Sequence, residues 1–507
     1  MTTKPMEKTT DELVEYLRDV HEKYIVELKQ ASDLPKSFWE SYSAFSNTAG
    51  GLIILGVQEG QPHNELVGVG NAQKIITNLW NQLSNPNKVS YRTISNEDIQ
   101  VCSLSDKQFI FVTVHEAPDI KKPVYLNDHL DDTYIRTGDG DRKATKEEIE
   151  AMARNSSPVN DSLAAINFTI SDLDSEALAF FKASVAKRYP TKSYEEMDDQ
   201  TFLSEIGAAE TDRKTGVWCP KRGTVLFLGK VNSIKEIYPQ FHLDYFNKQG
   251  NNPRWSDRVS DDEPADSEIN IYNFYRIVFE KLRALPQQPF SLDNEQTRLP
   301  LPSNDESLRE ALVNCLAHAD YVQGYPSTKI EAHDGWFRFL NPGKMLVRTE
   351  QFFAGGNSIP RNEIVMKLFR YIGASERQGF GGPVIVKAAV QNKFRYPEVD
   401  SDLNHTELRI WRVDLVDSYP ELTADERTVL SFILKSTLPQ SITDIFDATG
   451  ITKYKIHKAL DKLVNDYSVL NIVGHGPSTK YVVKVERPEK FTQLQVAMEK
   501  IKLAYNQ

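Results

Sequence analysis

The run GGLIILGV at residues 50–57 constrains the fold of this chain more than any other segment. It reads as a short, fully apolar strand bounded by glycines. Its neighbours supply the layers such a strand needs. Residues 10–21 place Leu13, Leu17 and Val20 on one helical face, and YIVELKQ then alternates as a strand. Residues 35–48 (PKSFWESYSAFSNT) space Phe38, Tyr42 and Phe45 for a buried helical stripe. Further strands are expected at 109–114 (FIFVTV) and 133–137 (TYIRT). The helix ATKEEIEAMAR follows, with Thr145 and Glu148 in capping-box spacing. The expectation is a compact α/β unit ending near residue 155.

A chain of 507 residues is too long for one ordinary core, so three or four domains are expected. Hydrophobic content of 40% and charged content of 26% match soluble globular protein and leave no run long enough to span a bilayer. The start, MTTKPMEKTTDELVEYL, has no apolar core of a secretory signal. Cys102, Cys219 and Cys315 form no CxxC pair, which argues against a disulfide scaffold or zinc ribbon. They read as buried thiols in a cytoplasmic protein. The ten histidines show no metal-ligand spacing. A net charge of −11 speaks to solubility, while local basic faces decide nucleic-acid binding.

Residues 155–162 (NSSPVNDS) read as a linker. An intermediate α/β region at 163–300 mixes helices (SEALAFFKASVAKRY, EINIYNFYRIVFEKLRAL) with strands (GTVLFLG, QFHLDYF). The polar stretch KQGNNPRWSDRVSDDEPADSE between them is expected to be a loop. Residues 301–417 form a further helix-then-strand unit. Three helices and a hairpin follow at 422–486, and 487–507 reads as an amphipathic helix.

Glu22 and Glu27 flank the first strand, Lys29 lies two residues on, and Glu59 ends the glycine-bounded strand. Alternation puts Glu27 and Lys29 on one face with Val26 and Leu28 packed inward. Three convergent carboxylates would hold hard divalent cations, with the lysine offsetting charge at a phosphate. The plainer reading is a solvated strand edge carrying a Glu27–Lys29 pair. The stretches HEKYIVELKQ, SAFSNTAGGLIILGVQEG, VGVGN and YIRTGDGDRKATKEEIEAM together resemble the Schlafen-type AlbA domain over about 130 residues. Glu22, Glu27, Lys29, Ala44, Phe45, Asn47, Thr48, Gly50, Gly51, Gly56, Val57, Tyr134, Arg136 and Gly138 match its pattern. In nucleolytic Schlafens two glutamates and an aspartate carry metal-dependent RNA cleavage. The resemblance therefore implies Mg²⁺ or Mn²⁺ at Glu22, Glu27 and Glu59, with Lys29 at the scissile phosphate. Glu59 is one methylene longer than the family's aspartate. Bacterial relatives with the same acids include transcriptional regulators.

SLREALVNCLAHADY repeats Glu310, Asn314 and His318 every fourth residue along one helical face, with Leu308, Ala311, Leu312 and Cys315 opposite. The segment resembles the GHKL-type ATP-binding fold in the divergent form that follows AlbA domains. Supporting matches are His318 and Asp320, then FLNPGKM (Asn341, Pro342, Gly343), SIPRN (Ser358 to Asn362) and ERQGFGG (Gly379, Gly381, Gly382). The resemblance implies a degenerate α/β sandwich that binds ATP. Glu310 would orient water, Asn314 would hold magnesium, and the glycines would meet phosphate. The family's adenine-recognising Asp-x-Gly-x-Gly is replaced by Asn-Pro-Gly.

TADERTVLSFILK opens with a Thr423–Glu426 capping box, and SITDIFDATG and ITKYKIHKALDKLVND follow in helix-turn-helix spacing. With the strand–turn–strand after them they resemble a winged-helix domain. Lys453, Lys455, Lys458 and Lys462 fall on the would-be recognition helix and suggest phosphate contact to DNA. The chain is thus expected to be a multidomain α/β (α+β) protein acting on RNA or DNA, assembled as a homo-oligomer without membrane contact. Two readings stand: a metal-dependent ribonuclease or nuclease in prokaryotic defence, gated by nucleotide or oligomerisation, and an ATP-binding, DNA-binding transcriptional regulator without nuclease chemistry.

Overall fold

The computed structural model describes residues 10–484 apart from 21–24, 31–33, 105, 139, 157–160, 251–253, 264–266, 286–303, 324, 357, 376–378, 393, 437 and 475. Glu22 and the expected helix at 487–507 lie outside the described residues. The chain divides into two compact units, Met1–Pro158 and Val159–Gln507.

In the first unit a four-stranded sheet runs Val26–Lys29, Gly51–Leu55, Lys107–Val114, Ile99–Leu104. The first pair is parallel and the others antiparallel. Helix Lys36–Asn47 covers one face through Phe38, Tyr42 and Phe45, all fully buried with Ile53, Ile110 and Val112. Val26 and Leu28 pack on the other face with Leu17, Ile54 and Phe111. The glycines between helix and strand have steric reasons. Gly50 is left-handed at φ +72°, and a side chain on Gly51 would lie 2.4 Å from the Phe45 ring. The sheet therefore accepts the helix at close range only with no side chain there.

The second unit is built on a six-stranded sheet: Asp257–Ser260, Leu243–Asn247, Thr328–His333, Trp336–Pro342, His405–Trp411, Glu398–Ser401. Only the Leu243–Asn247 and Thr328–His333 pair is parallel. Strands from 163–300 and 301–417 thus share one sheet, and one apolar core runs from Ala165 to Ile410. Helices Ser175–Arg188, Ile271–Ala284, Asp305–His318 and Glu363–Tyr371 contribute to that core. Two local expectations are corrected. GTVLFLG is a helix, Arg222–Leu228, and six of its residues from Gly223 onward are buried. The polar stretch expected as a loop contains the strand Asp257–Ser260, paired with Leu243–Asn247.

A third correction concerns the linker. Asp161 is 1% exposed, and its Oδ2 accepts the backbone N–H groups of Ile364 (2.8 Å) and Val365 (3.1 Å) at the start of helix Glu363–Tyr371. Burial outweighs those hydrogen bonds and pushes the carboxyl up to about 6. The unfolded chain ionises near pH 4, so folding favours the neutral form. That stability is complete below about pH 4 and is lost as pH rises to about 6. Asp161→Asn keeps the acceptor without the charge. It is expected to remove this fall and gain up to roughly 3 kcal/mol at pH 7. Thermal unfolding of both proteins from pH 4 to 7 checks it; parallel curves would contradict the assignment.

The last elements are helices Ala424–Lys435, Ile442–Thr449 and Lys453–Asn465 and the antiparallel pair Leu470–Val473 and Lys480–Val483. They share a small core including Val429, Leu430, Ile445, Ile456, Leu460 and Leu463. Cys219 and Cys315 are buried thiols and Cys102 is half-buried. Among the described residues no helix is long and apolar enough to cross a membrane.

Candidate functional site

In the first unit the strand Val26–Lys29 presents Glu27 beneath Arg136, which comes from the strand His129–Thr137. Both carboxylate oxygens are engaged. Glu27 Oε1 meets Lys29 Nζ at 2.5 Å, and Oε2 meets Arg136 Nη1 at 2.5 Å. The same Nη1 reaches Asp141 Oδ1 at 2.7 Å, Nη2 donates to the Val26 carbonyl, and Ser41 donates to Asp141 at 2.6 Å. The guanidinium lies 5.0 Å from the Phe45 ring centre. The Lys29 pairing matches the sequence expectation, but a solvated strand edge does not describe it, since Glu27 is 6% exposed. Asn47 and Thr48 lock the helix onto the same strand. Asn47 Nδ2 donates to the carbonyls of Val124 and Tyr134, its Oδ1 accepts from Val124 N–H, and the Arg136 N–H donates to Thr48 Oγ1. Glu59 is exposed just past Val57–Gln58. A metal fits poorly on Glu27, whose oxygens already serve two cations. Asp141 and Arg136's bridging role escaped the sequence reading; the spacing Tyr-x-Arg-x-Gly was the available signal.

Among the described residues, His242, Asp261 and Asp262 are the group of three whose ligand atoms lie within 4.8 Å of one another. Asp244 and Asp261 bond the two ring nitrogens at 2.8 Å and push His242 up to about 10, so it is a cation at neutral pH. Lys235 sits 2.8 Å from Asp261 Oδ2. His242, Lys235 and the aspartates thus form an ion-pair cluster.

The cleft of the second unit holds the expected helical face. Glu310, Asn314 and His318 line it from helix Asp305–His318, joined by Asn341, Gly379 and Gly381. It is an open cleft whose empty space, mouth included, comes to about 940 Å³. Ala311 and Cys315 also line it, so the expected opposite side of the helix is partly cleft wall. Asn314 Nδ2 donates to Glu310 Oε1 at 3.3 Å. Gly381 opens helix Gly381–Asn392, and a side chain there would lie 2.5 Å from both Asn314 Nδ2 and Glu310 Oε1. That helix start therefore abuts the polar pair. Burial, then Arg361, pushes His318 down to about 4, so its imidazole is neutral at pH 7.

Asp320 and Gly343, expected at the ligand, lie outside the cleft lining and brace it. Gly343 is left-handed at φ +91°, 3.0 Å in Cβ terms from both Arg361 Nη2 and Asp320 Cβ. Arg361 donates to the carbonyls of His318 and Lys344. Asn362 donates to those of Ala317 and Ala319, which satisfies carbonyls at the buried C-terminal end of the helix. Sequence reading missed Lys344, Arg370, Ser375 and Thr406 in the lining. Lys344 follows Asn-Pro-Gly directly, which was a signal; Arg370 had none.

On the last unit of helices, Lys455 pairs with Asp425 at 2.9 Å and Lys462 with the buried Glu426 at 3.0 Å. Lys453 lies 5.7 Å from the Phe446 ring centre, Lys458 and His457 are exposed, and Tyr454 is 79% exposed. The four expected lysines therefore divide between an outward face and the seam with helix Ala424–Lys435.

Comparison with known proteins finds family matches over parts of the chain. Residues 150–244 match a domain family of unknown function, DUF8451. No curated protein matches the chain. The DIP2311 protein from Corynebacterium diphtheriae is 15% identical over 96% of this chain and 99% of its own, with a TM-score of 0.38. The N-terminal domain of the "Putative ATP-dependent DNA Helicase RecG-related Protein" from Nitrosomonas europaea is 26% identical over 27% of this chain and 94% of its own, with a TM-score of 0.22. Residues 22–145 match the family "Schlafen, AlbA_2", and residues 327–410 match "Putative ATP-dependent DNA helicase recG C-terminal". The chain is a multidomain α/β protein in which one segment is similar to the Schlafen AlbA_2 family and another to the recG C-terminal family.

Proposed function

We propose that this protein binds a nucleoside triphosphate in the Glu310–Asn314 cleft and duplex DNA on its C-terminal helices, and that it regulates DNA without cutting nucleic acid. The observation that carries the reading is the cleft: an apolar pocket where a carboxylate, an amide and a glycine helix start converge. Glu310 and Asn314 are the residues that would hold Mg²⁺ at the phosphates, as oxygen donors suit a hard cation. The match to a recG C-terminal family, and the GHKL-like sequence pattern, support a nucleotide as the ligand.

The first domain is proposed to bind nucleic acid with Glu27 as a brace for Arg136. Supporting this over the metal-dependent nuclease is the double engagement of Glu27. Purified protein incubated with labelled tRNA, single-stranded RNA and DNA, with Mn²⁺ or EDTA, is expected to leave all three intact. Mn²⁺-dependent cleavage that Glu59→Gln removes would establish the nuclease instead.

For the C-terminal helices a winged-helix DNA reader is proposed, with Lys453, Tyr454 and Lys458 outward. The double variant Lys453→Gln/Lys458→Gln is expected to weaken duplex binding about tenfold or more and flatten its salt dependence by about two ions. Lys455→Gln, whose charge already serves Asp425, should change little. Fluorescence anisotropy at several salt concentrations measures both. Equal losses from the two variants would point to a diffuse surface and sink the assignment.

A further inference from the structure

Two packed helices place three cations, Lys221, Lys367 and Arg370, beside the cleft. Lys367 and Arg370 are one turn apart on helix Glu363–Tyr371, and Arg370 also lines the cleft. Lys221 stands at the start of the neighbouring helix Arg222–Leu228, which packs against Glu363–Tyr371. Among the described residues, Glu210 is the carboxylate in ion-pair contact with this group. It lies 3.7 Å from Lys221 and is itself about half exposed. Lys367 is half-buried, and its ammonium fills the space that a side chain on Gly207 would take: a Cβ there would lie 2.6 Å from Nζ. Gly207 is left-handed at φ +65°, so the loop after helix Asp199–Glu205 is shaped to leave that space.

Burial is the largest influence on Lys367, and Lys221 and Arg370 add to it; all three push the ammonium below its usual range. A carboxylate nearby would offset the cost of placing this ammonium beside two other cations. Among the described residues no carboxylate pairs with Lys367.

We propose that Lys221, Lys367 and Arg370 form a binding site for a phosphate anion, contiguous with the cleft through Arg370. An ammonium pair with a guanidinium matches phosphate oxygens: the lysines act as point charges and the arginine as a fork of parallel donors. The phosphate has two sources of the same chemistry, the polyphosphate tail of a ligand in the cleft or a separate phosphate. The site stands independently of the nucleotide reading, since the packing of the two helices places these cations side by side whatever occupies the cleft.

The test is thermal unfolding of the full chain with inorganic phosphate and tripolyphosphate, followed by titration. Wild type is expected to be stabilised by tripolyphosphate. Lys367→Met, nearly isosteric and neutral, should melt at or above wild type in plain buffer, because an uncompensated charge has gone. It should weaken tripolyphosphate binding at least tenfold. Arg370→Gln serves as the second variant, with the same loss of binding. Competition between ATP and tripolyphosphate would assign the site to the tail of a cleft ligand, and joint binding would assign it to a separate phosphate; either supports the site. Wild type indifferent to both anions, or binding unchanged in both variants, would overturn it and leave Lys367 as a lysine held only by the carboxyl end of helix Asp199–Glu205.

Discussion

Replacing Arg136 with alanine is expected to lower the melting temperature of the first unit by roughly 10 °C, a loss of about 3–5 kcal/mol. Arg136 is 4% exposed and stands between two carboxylates, Glu27 and Asp141, with a third contact to the Val26 carbonyl. Among the described residues, alanine would leave Glu27 buried with Lys29 alone to balance it, and Asp141 with the Ser41 hydroxyl. Lysine at this position should restore little, because one ammonium cannot reach Glu27, Asp141 and the strand carbonyl together. Circular dichroism of the full chain during heating reads the effect. A shift of a degree or two for Arg136→Ala would show that the network behaves as a surface pair and would reopen Glu27 to a metal.

The second large effect is at Gly381. A valine there places its first carbon where Asn314 Nδ2 and Glu310 Oε1 already stand, 2.5 Å away. Both polar groups must turn from the cleft, and the helix start loses its approach to the ligand. Nucleotide affinity is expected to fall at least a hundredfold, about 2.7 kcal/mol. The readout is the rise in melting temperature on adding Mg²⁺ and ATP, measured beside near-ultraviolet dichroism to show an intact core. Gly382 makes a poor substitute, since a side chain there would lie 1.9 Å from the Phe352 carbonyl and strike backbone. Undiminished nucleotide stabilisation in Gly381→Val would move the ligand out of this cleft.

Which parts of this were legible in the sequence follows from how local each cause is. The strand Gly51–Leu55 and helix Lys36–Asn47 were readable because their periodicity and glycines are contained in a few residues. The face of Glu310, Asn314 and His318 was readable for the same reason. The segment GTVLFLG misled because a helical turn buried on every side has no polar face to show its period. The strand Asp257–Ser260 was hidden in polar sequence, its pairing fixed by the neighbouring Leu243–Asn247. Asp161 looks like linker because its partners, Ile364 and Val365, lie some two hundred residues away. Glu27 suggested a metal ligand because its partner Arg136, 109 residues on, is not visible in the strand pattern. Asp320 and Gly343 sat in the right motif, but their side of the loop faces Arg361 and not the cleft.

The most direct measurement is a calorimetric titration of the full-length protein with ATP and Mg²⁺, repeated on Asn314→Ala. Saturable binding by wild type that the variant loses is the expected result. A folded wild-type protein that gives no saturable heat, or a variant that binds as well as wild type, would contradict the assignment of the cleft to a nucleotide.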